Sequence, residues 1–166
     1  MTLREATADD FPAIWSIFHD VVSRGDTYAI PTDTDAEGAR EFWLTSPRRT
    51  YVYDAHGEVL GTYFLKTNQA GPGDHVCNCG YMVVASARGR GIATAMCQHS
   101  LAVARELGYQ AMQFNCVVAS NTGAIRLWQQ LGFEIVGTLP RAFRHPREGY
   151  VDAHVMYQWL ESDAAD

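Results

Sequence analysis

The sequence predicts an α/β (α+β) fold, a mixed and mostly antiparallel central sheet of about six to seven strands covered by four helices. Three observations predict it. Short apolar runs bounded by Gly, Asp or Pro recur along the chain and read as strands. Between some of them, apolar residues return at i, i+3, i+4 and i+7, the period of a helix with one buried face. Midway, a strand, a helix and another strand follow in direct succession, which calls for a parallel pair joined by a right-handed crossover.

The elements follow in order. "TLREA" (Thr2 to Ala6) is a short strand, and Asp9 or Asp10 caps a helix carrying Ile14, Ile17, Phe18 and Val21. A second helix lies near Ala36 to Leu44. "TYVYD", "VLGTYFLK" and "HVCNCGYMVV" then succeed each other as an antiparallel meander, with "NQAGPGD" (Asn68 to Asp74) as a loop. Ile92, Met96, Val103 and Leu107 mark one helix face that Gly108 can end, and "QAMQFNCVV" alternates as a strand. A fourth helix, Asn121 to Leu131, buries Ala124, Leu127, Trp128 and Leu131 and stops at Gly132. "FEIVGTL" and "VDAHVMYQWL" finish the sheet. No linker or repeat divides the chain, so residues 1–160 are expected to form one domain, with "ESDAAD" (161–166) as a frayed tail.

Composition narrows the function. At 166 residues, the chain can bury roughly 70% of its unfolded surface without a disulfide or metal. Its 19 acidic against 13 basic residues give a net charge of −6, which repels polyanions, so no nucleic-acid partner is expected. The start, MTLREATADD, lacks a basic segment followed by an apolar one, and no apolar run reaches the roughly 18 residues of a membrane span. A cytoplasmic protein without membrane contact is expected. Cys77, Cys79, Cys97 and Cys116 are then free thiols in core segments. His75, Cys77 and Cys79 lack the spaced pairs of a zinc site, so no metal is expected.

"ASARGRGIATAM" (Ala85 to Met96) lies where a strand ends and a helix begins. Gly89 and Gly91 permit positive φ and close approach. The free N–H groups from Gly89 to Ala93 would point out of the helix N-terminus, where the macrodipole favours an anion, so a phosphate is expected there. It is not a Walker loop, because the chain's only lysine is Lys66, on another element. A dinucleotide fingerprint would need a small residue at Thr94 and an acid at Asn115.

"RGRGIA" (Arg88 to Ala93) resembles the Arg/Gln-x-x-Gly-x-Gly/Ala signature of the GNAT acetyltransferase superfamily, after the apolar "YMVV" strand found there in that family. "NTGAIRLWQQLGF" (Asn121 to Phe133) is similar to the family's Asn-x-x-Ala-x-x-Leu-Tyr-x-x-x-Gly-Phe segment. The strong match covers roughly Gly80 to Leu139. The resemblance implies the GNAT fold, a single acetyltransferase domain, and acetyl-CoA as co-substrate. It places the pyrophosphate on Arg88, Gly89, Arg90, Gly91, Ile92, Ala93 and Thr94 and the pantetheine along backbone groups of Met82, Val83 and Val84. The acetyl group then reaches a gap between two splayed parallel strands, Cys77 to Val84 and Ala111 to Val118. Asn121, Ala124 and Trp128 are carried over as contacts to CoA. Dimerisation is common in such folds and no sequence feature decides it, so a homodimer stays open.

Trp128 departs from the family pattern, which has a tyrosine there to protonate the departing thiolate. Indole N–H donates a hydrogen bond but is no useful acid. A simple thiol, of pKa about 8.5, sits only roughly 2 kcal/mol from its thiolate at neutral pH, so water or another donor suffices. No carboxylate stands out as a base, and Glu134 and Asp152 are expected at strand ends as solvated or capping residues. Asn78 and Asn115, polar residues within strands, are expected to line a polar substrate pocket or to bond neighbouring backbone. Asn121 reads as a helix N-cap.

Asn78, Asn115 and Asn121, with "FRHPREGYVD" (Phe143 to Asp152), also resemble the azetidine-2-carboxylate acetyltransferase subgroup, which acts on small proline-like amino acids. That resemblance implies a small-molecule amine acceptor bound by Asn78 and Asn115, with Asn115, Asn121 and Tyr150 as catalytic candidates. The loop carrying His145 and Tyr150 would close over it. A protein N-terminal, antibiotic or polyamine acetyltransferase is the alternative enzyme. A non-catalytic acyl-CoA sensor is the reading of another class.

Overall fold

The computed structural model describes residues 1–160, so the expected frayed tail, 161–166, lies outside the described residues. Alternating apolar and β-branched residues form β1 (Thr2–Glu5), β2 (Arg49–Ala55), β3 (Glu58–Thr67), β4 (Val76–Val83), β5 (Ala111–Val118), β6 (Glu134–His145) and β7 (Gly149–Trp159). They make one seven-stranded sheet in the order β1-β2-β3-β4-β5-β7-β6. β4 and β5 run parallel, and the other neighbours are antiparallel.

Helices α1 (Phe11–Val22) and α2 (Ala36–Arg40) pack on one face of the sheet, and α3 (Ile92–Glu106) and α4 (Thr122–Gln130) belong to the core of the other. Strand alternation sorts the side chains between them. Ile14, Phe18, Trp43, Val52, Phe64 and Met82 form the first core, and Tyr63, Leu65, Met96, Cys97, Phe114 and Phe133 belong to the second. The second helix ends earlier than its apolar pattern predicts, because α2 passes into a π turn over Glu41–Thr45. That turn buries Trp43, whose indole N–H donates to Thr62 Oγ1 at 3.0 Å, and leaves Phe42 partly exposed.

Three local readings need correction. Neither Asp9 nor Asp10 caps the first helix by a side-chain bond, because Thr7 precedes a short 3₁₀ turn, Ala8–Asp10, that leads into it. Asp10 instead reaches back to accept from the Thr7 amide at 2.7 Å, the acidic half of a capping box, and binds both ends of the Arg4 guanidinium at 2.7 and 2.8 Å. The segment expected as a substrate loop is the end of a long β6–β7 hairpin, with β6 running on past Leu139 to His145. Asp152 therefore lies within β7, not at its end, and accepts from the Arg141 amide where the ladder shifts register.

The Arg4 guanidinium holds the Asp10 carboxyl down from 3.8 to about 2, against the opposing effect of burial. A depressed carboxyl stabilises the fold above its unfolded pKa, and that contribution is lost as pH falls towards the folded value. At 8% exposure the contribution is on the order of 2 kcal/mol. Asp10→Asn should therefore be less stable than wild type at neutral pH, and the gap should shrink between about pH 4 and pH 2. Urea denaturation across that range measures it. A gap independent of pH would contradict the assignment.

Candidate functional site

β4 and β5 pair at only two positions, Val76 with Ala111 and Cys77 with Met112, and then separate. At the point of separation the Asn78 carboxamide donates to Gln113 O at 2.9 Å, a side chain standing in for the missing ladder. On the far side of β5, the ladder to β7 shifts register between Phe114 and Val117, a bulge that bends the strand away. The wedge between the strands belongs to a cavity of about 610 Å³ that reaches Tyr81, Val83, Phe114, Cys116, Asn121 and Trp128.

Hydrogen bonding decides which β4 backbone groups face this wedge. The Val84 amide donates to Leu60 O at 2.9 Å, and Val76 O accepts from Asn68 at 2.8 Å. In an antiparallel ladder the bonded positions alternate, so Met82, like Val84, turns its backbone to β3. Val84 O is also taken, by the Ala87 amide at 2.9 Å. Of the three residues expected to bond a pantetheine chain through their backbone, Val83 faces the wedge. Tyr81 faces it too, but its N–H and C=O are both held by the Tyr28 hydroxyl, which accepts at 2.8 Å and donates at 2.7 Å. Burial pushes the Tyr28 phenol up, so it remains a donor.

A second hollow, of about 340 Å³, opens where β4 gives way to α3. Val83, Arg88, Gly89, Gly91, Ala93 and Thr94 are among its walls, as is Ile92, whereas Arg90 is exposed and lines neither hollow. Gly89 and Gly91 hold φ of 75° and 77°, in the left-handed region that costs other residues strain. The N-terminus of α3 has no side-chain cap, whereas Asp35 caps α2 and Asn121 caps α4 by accepting from Ala124 at 3.3 Å. The Ala95 amide returns to Gly91 O, so the earlier amides of Ile92, Ala93 and Thr94 have no helical acceptor. An uncapped helix start of this kind is a ready anion site.

Ala124, Leu127 and Trp128 of α4 line the main cavity with Asn121. Trp128 is 9% exposed and packs against Tyr81 and Phe114 at 5.0 and 5.1 Å, a core contact as much as a cavity wall. Asn78 is buried on the cavity, while Asn115 is exposed on its rim and donates to Asn68 Oδ1 at 2.8 Å. Tyr150 is 68% exposed on the distal hairpin and is not among the cavity residues. His145 is buried there, its Nδ1 accepting from the Arg147 and Glu148 amides, so it shapes the turn and is no lid residue.

Sequence reasoning missed the cavity's other wall, the segment after α1 that contributes Arg24, Asp26, Thr27 and Tyr28, together with Phe42 and Lys66. An aromatic inside the polar run "SRGDTYAIPTDTD" was the available signal. Two cysteines, Cys79 and Cys116, also line the cavity, and burial pushes both thiols up, so neither is a thiolate at neutral pH. Among the described residues, no three His, Cys, Asp or Glu side chains converge to hold a metal ion, and no helix is long and apolar enough to cross a membrane.

Residues 4–133 match the model of the Acetyltransferase (GNAT) family. Over 155 residues the chain is 32% identical to N-acetyltransferase aca1 of Schizosaccharomyces pombe, covering 83% of this chain and 74% of that one. Over 148 residues it is 33% identical to an L-methionine sulfoximine/L-methionine sulfone acetyltransferase of Pseudomonas aeruginosa, covering 84% of each. The solved structure of a GCN5-related N-acetyltransferase from Kribbella flavida superposes with a TM-score of 0.91 at 46% identity, over 96% of this chain and 97% of that one.

Tyr28→Phe removes the hydroxyl that satisfies both Tyr81 backbone groups. It should destabilise the fold by about 1 to 3 kcal/mol, the cost of leaving buried polar groups unpaired. Chemical denaturation measures this, and an unchanged midpoint would mean that the loop is not tethered through Tyr28.

Proposed function

The chain belongs to the GNAT acetyltransferase family and is an acetyl-CoA-dependent N-acetyltransferase; we propose that its acceptor is a small, amino-acid-like amine that attacks the thioester directly. The observation that carries the site assignment is the wedge between β4 and β5 leading to an uncapped α3 N-terminus. Donors there suit a pyrophosphate, namely the amides of Ile92, Ala93 and Thr94, with those of Gly89 and Gly91 beside them and Arg88 on the wall. Val83 offers backbone to the pantetheine, and Asn121, Ala124 and Trp128 flank its path. Residues 1–160 act as one acetyltransferase domain in this reading.

Acetyl-CoA supplies the thioester, whose C–S bond breaks as the amine nitrogen bonds to the carbonyl carbon; the nitrogen loses a proton and the thiolate gains one. This chain's residues orient the partners and exclude water. With Cys79 and Cys116 held as thiols, direct attack is favoured over acyl transfer through a cysteine. Trp128 serves as packing and channel wall, not as the acid. The amino-acid-like acceptor is supported by the resemblance to the methionine sulfone acetyltransferase and by the polar walls of the cavity. For assembly, the favoured reading is a homodimer through β6, a sheet edge on which Ile135, Val136 and Leu139 are exposed and which a second copy can cover.

Thiol release from acetyl-CoA against L-methionine sulfone, proline-like amino acids, polyamines and peptides tests the acceptor class. The expected acceptors are the amino acids, and preference for a peptide would contradict the proposal. Acetyl-CoA at a hundredfold excess over its Kd should stabilise the wild type by about 2.7 kcal/mol. Gly91→Val forces a β-branched residue to positive φ at the phosphate cradle and should lose most of that shift, each variant compared with its own ligand-free Tm. Trp128→Phe should keep most activity; a loss beyond about a hundredfold, roughly 2.7 kcal/mol of barrier, with acetyl-CoA affinity intact, would give the indole a chemical role.

A further inference from the structure

Among the described residues, four buried side-chain polar atoms have no hydrogen-bond partner, and three of them, Arg24 Nε, Asp26 Oδ1 and Thr27 Oγ1, fall within one stretch of four residues. Buried polar groups left unpaired are costly, so folded chains keep few of them and seldom together. All three residues line the main cavity. Unmet donors and acceptors on a cavity wall are free to bind a ligand.

Lys66 lines the same cavity. Its ammonium rests over the rings of Phe42 and Phe64, at 5.3 and 5.4 Å, and makes no ion pair with a carboxylate among the described residues. Arg24 is anchored at its other end, where Nη1 meets Asp20 at 3.5 Å. The segment is fixed against the wedge through Tyr28 and Tyr81. By contrast, Asn78 and Asn115 have already given amide hydrogens to Gln113 O and Asn68 Oδ1.

On the basis of the N-acetyltransferase reading above, we infer that Arg24 and Lys66 bind the carboxylate of the acceptor while Asp26 and Thr27 hold its amine, so that the enzyme selects amines carrying an anionic group close to the reacting nitrogen. The charges match. Arg24, Lys66 and Arg88 outnumber Asp26 on the cavity wall, and the reactive form of an amino acid, with its amine neutral and its carboxylate ionised, carries the opposite charge. The neutral amine can donate to Asp26 Oδ1 and keep its lone pair for the thioester. A decarboxylated amine in the same neutral form brings no carboxylate to Arg24 and Lys66, so the pair of cations selects against it.

The test compares each amino acid with its decarboxylated amine: L-leucine with isoamylamine, L-proline with pyrrolidine, and L-phenylalanine with phenethylamine. Rates from thiol release are normalised to the fraction of neutral amine, and acetyl-CoA affinity, measured on every variant, serves as the check of folding. Wild type should favour the amino acid in kcat/KM by about tenfold or more. Arg24→Gln and Lys66→Met should each raise KM for the amino acid by about tenfold, far more than for the amine, and Arg24→Lys should recover part of the loss. Asp26→Asn should lower kcat/KM for both members of a pair. Wild type that prefers the decarboxylated amines, or Arg24→Gln and Lys66→Met variants that weaken both members equally, would overturn the inference while leaving the acetyltransferase reading in place. No thiol release with any amine would overturn both.

Discussion

β4 and β5 share a parallel ladder only at Val76–Ala111 and Cys77–Met112, and their separation beyond it is enforced from both sides. Backbone groups freed along a strand must find partners or stay wet. Here Asn78 takes Gln113 O at the apex, the Tyr28 hydroxyl takes both Tyr81 groups, and a bulge against β7 carries β5 outward. Closing the gap would require breaking those contacts, so the wedge is a stable feature of the sheet. Its floor is built from packed aromatic rings, with Trp128 against Tyr81 and Phe114, and Phe114 stacked on Phe133 at 4.2 Å. The same split opens a channel that leads to the first turn of α3.

Local charge inverts the global one. The chain is acidic, at −6, yet Arg24, Lys66 and Arg88 line the main cavity and the α3 N-terminus adds its partial positive charge. Anionic ligands are therefore favoured inside the channel and disfavoured by the surface as a whole. Elsewhere the acids serve the scaffold. Asp10 binds Arg4 and Thr7, Asp35 caps α2, and Asp152 takes the Arg141 amide.

The α3 end of the channel, where we propose the phosphates bind, was legible in the sequence because its chemistry is local. Gly89 and Gly91 are needed for left-handed backbone, and Asn121 for a cap, and all are set within a few residues of the helix they start. The strands and helices were legible for the same reason. The far wall, proposed to take the acceptor, was not, since it joins the cavity only through long-range packing, as Tyr28 does with Tyr81 across some fifty residues of chain. Asn78 and Asn115 drew attention by being polar in strands, and each gives one amide hydrogen to a neighbour, Gln113 O and Asn68 Oδ1. Which β4 amides face the wedge also depended on register against β3, and a one-residue change of register reverses it.

Amide hydrogen exchange with and without acetyl-CoA tests most directly whether the wedge and the α3 N-terminus together hold the ligand. Ile92, Ala93 and Thr94 should exchange fast in the free protein and slow on binding, as should Val83, whereas Met82 and Val84 should be protected in both states because β3 already holds them. Acetyl-CoA that binds without slowing Ile92 to Thr94 would contradict that placement.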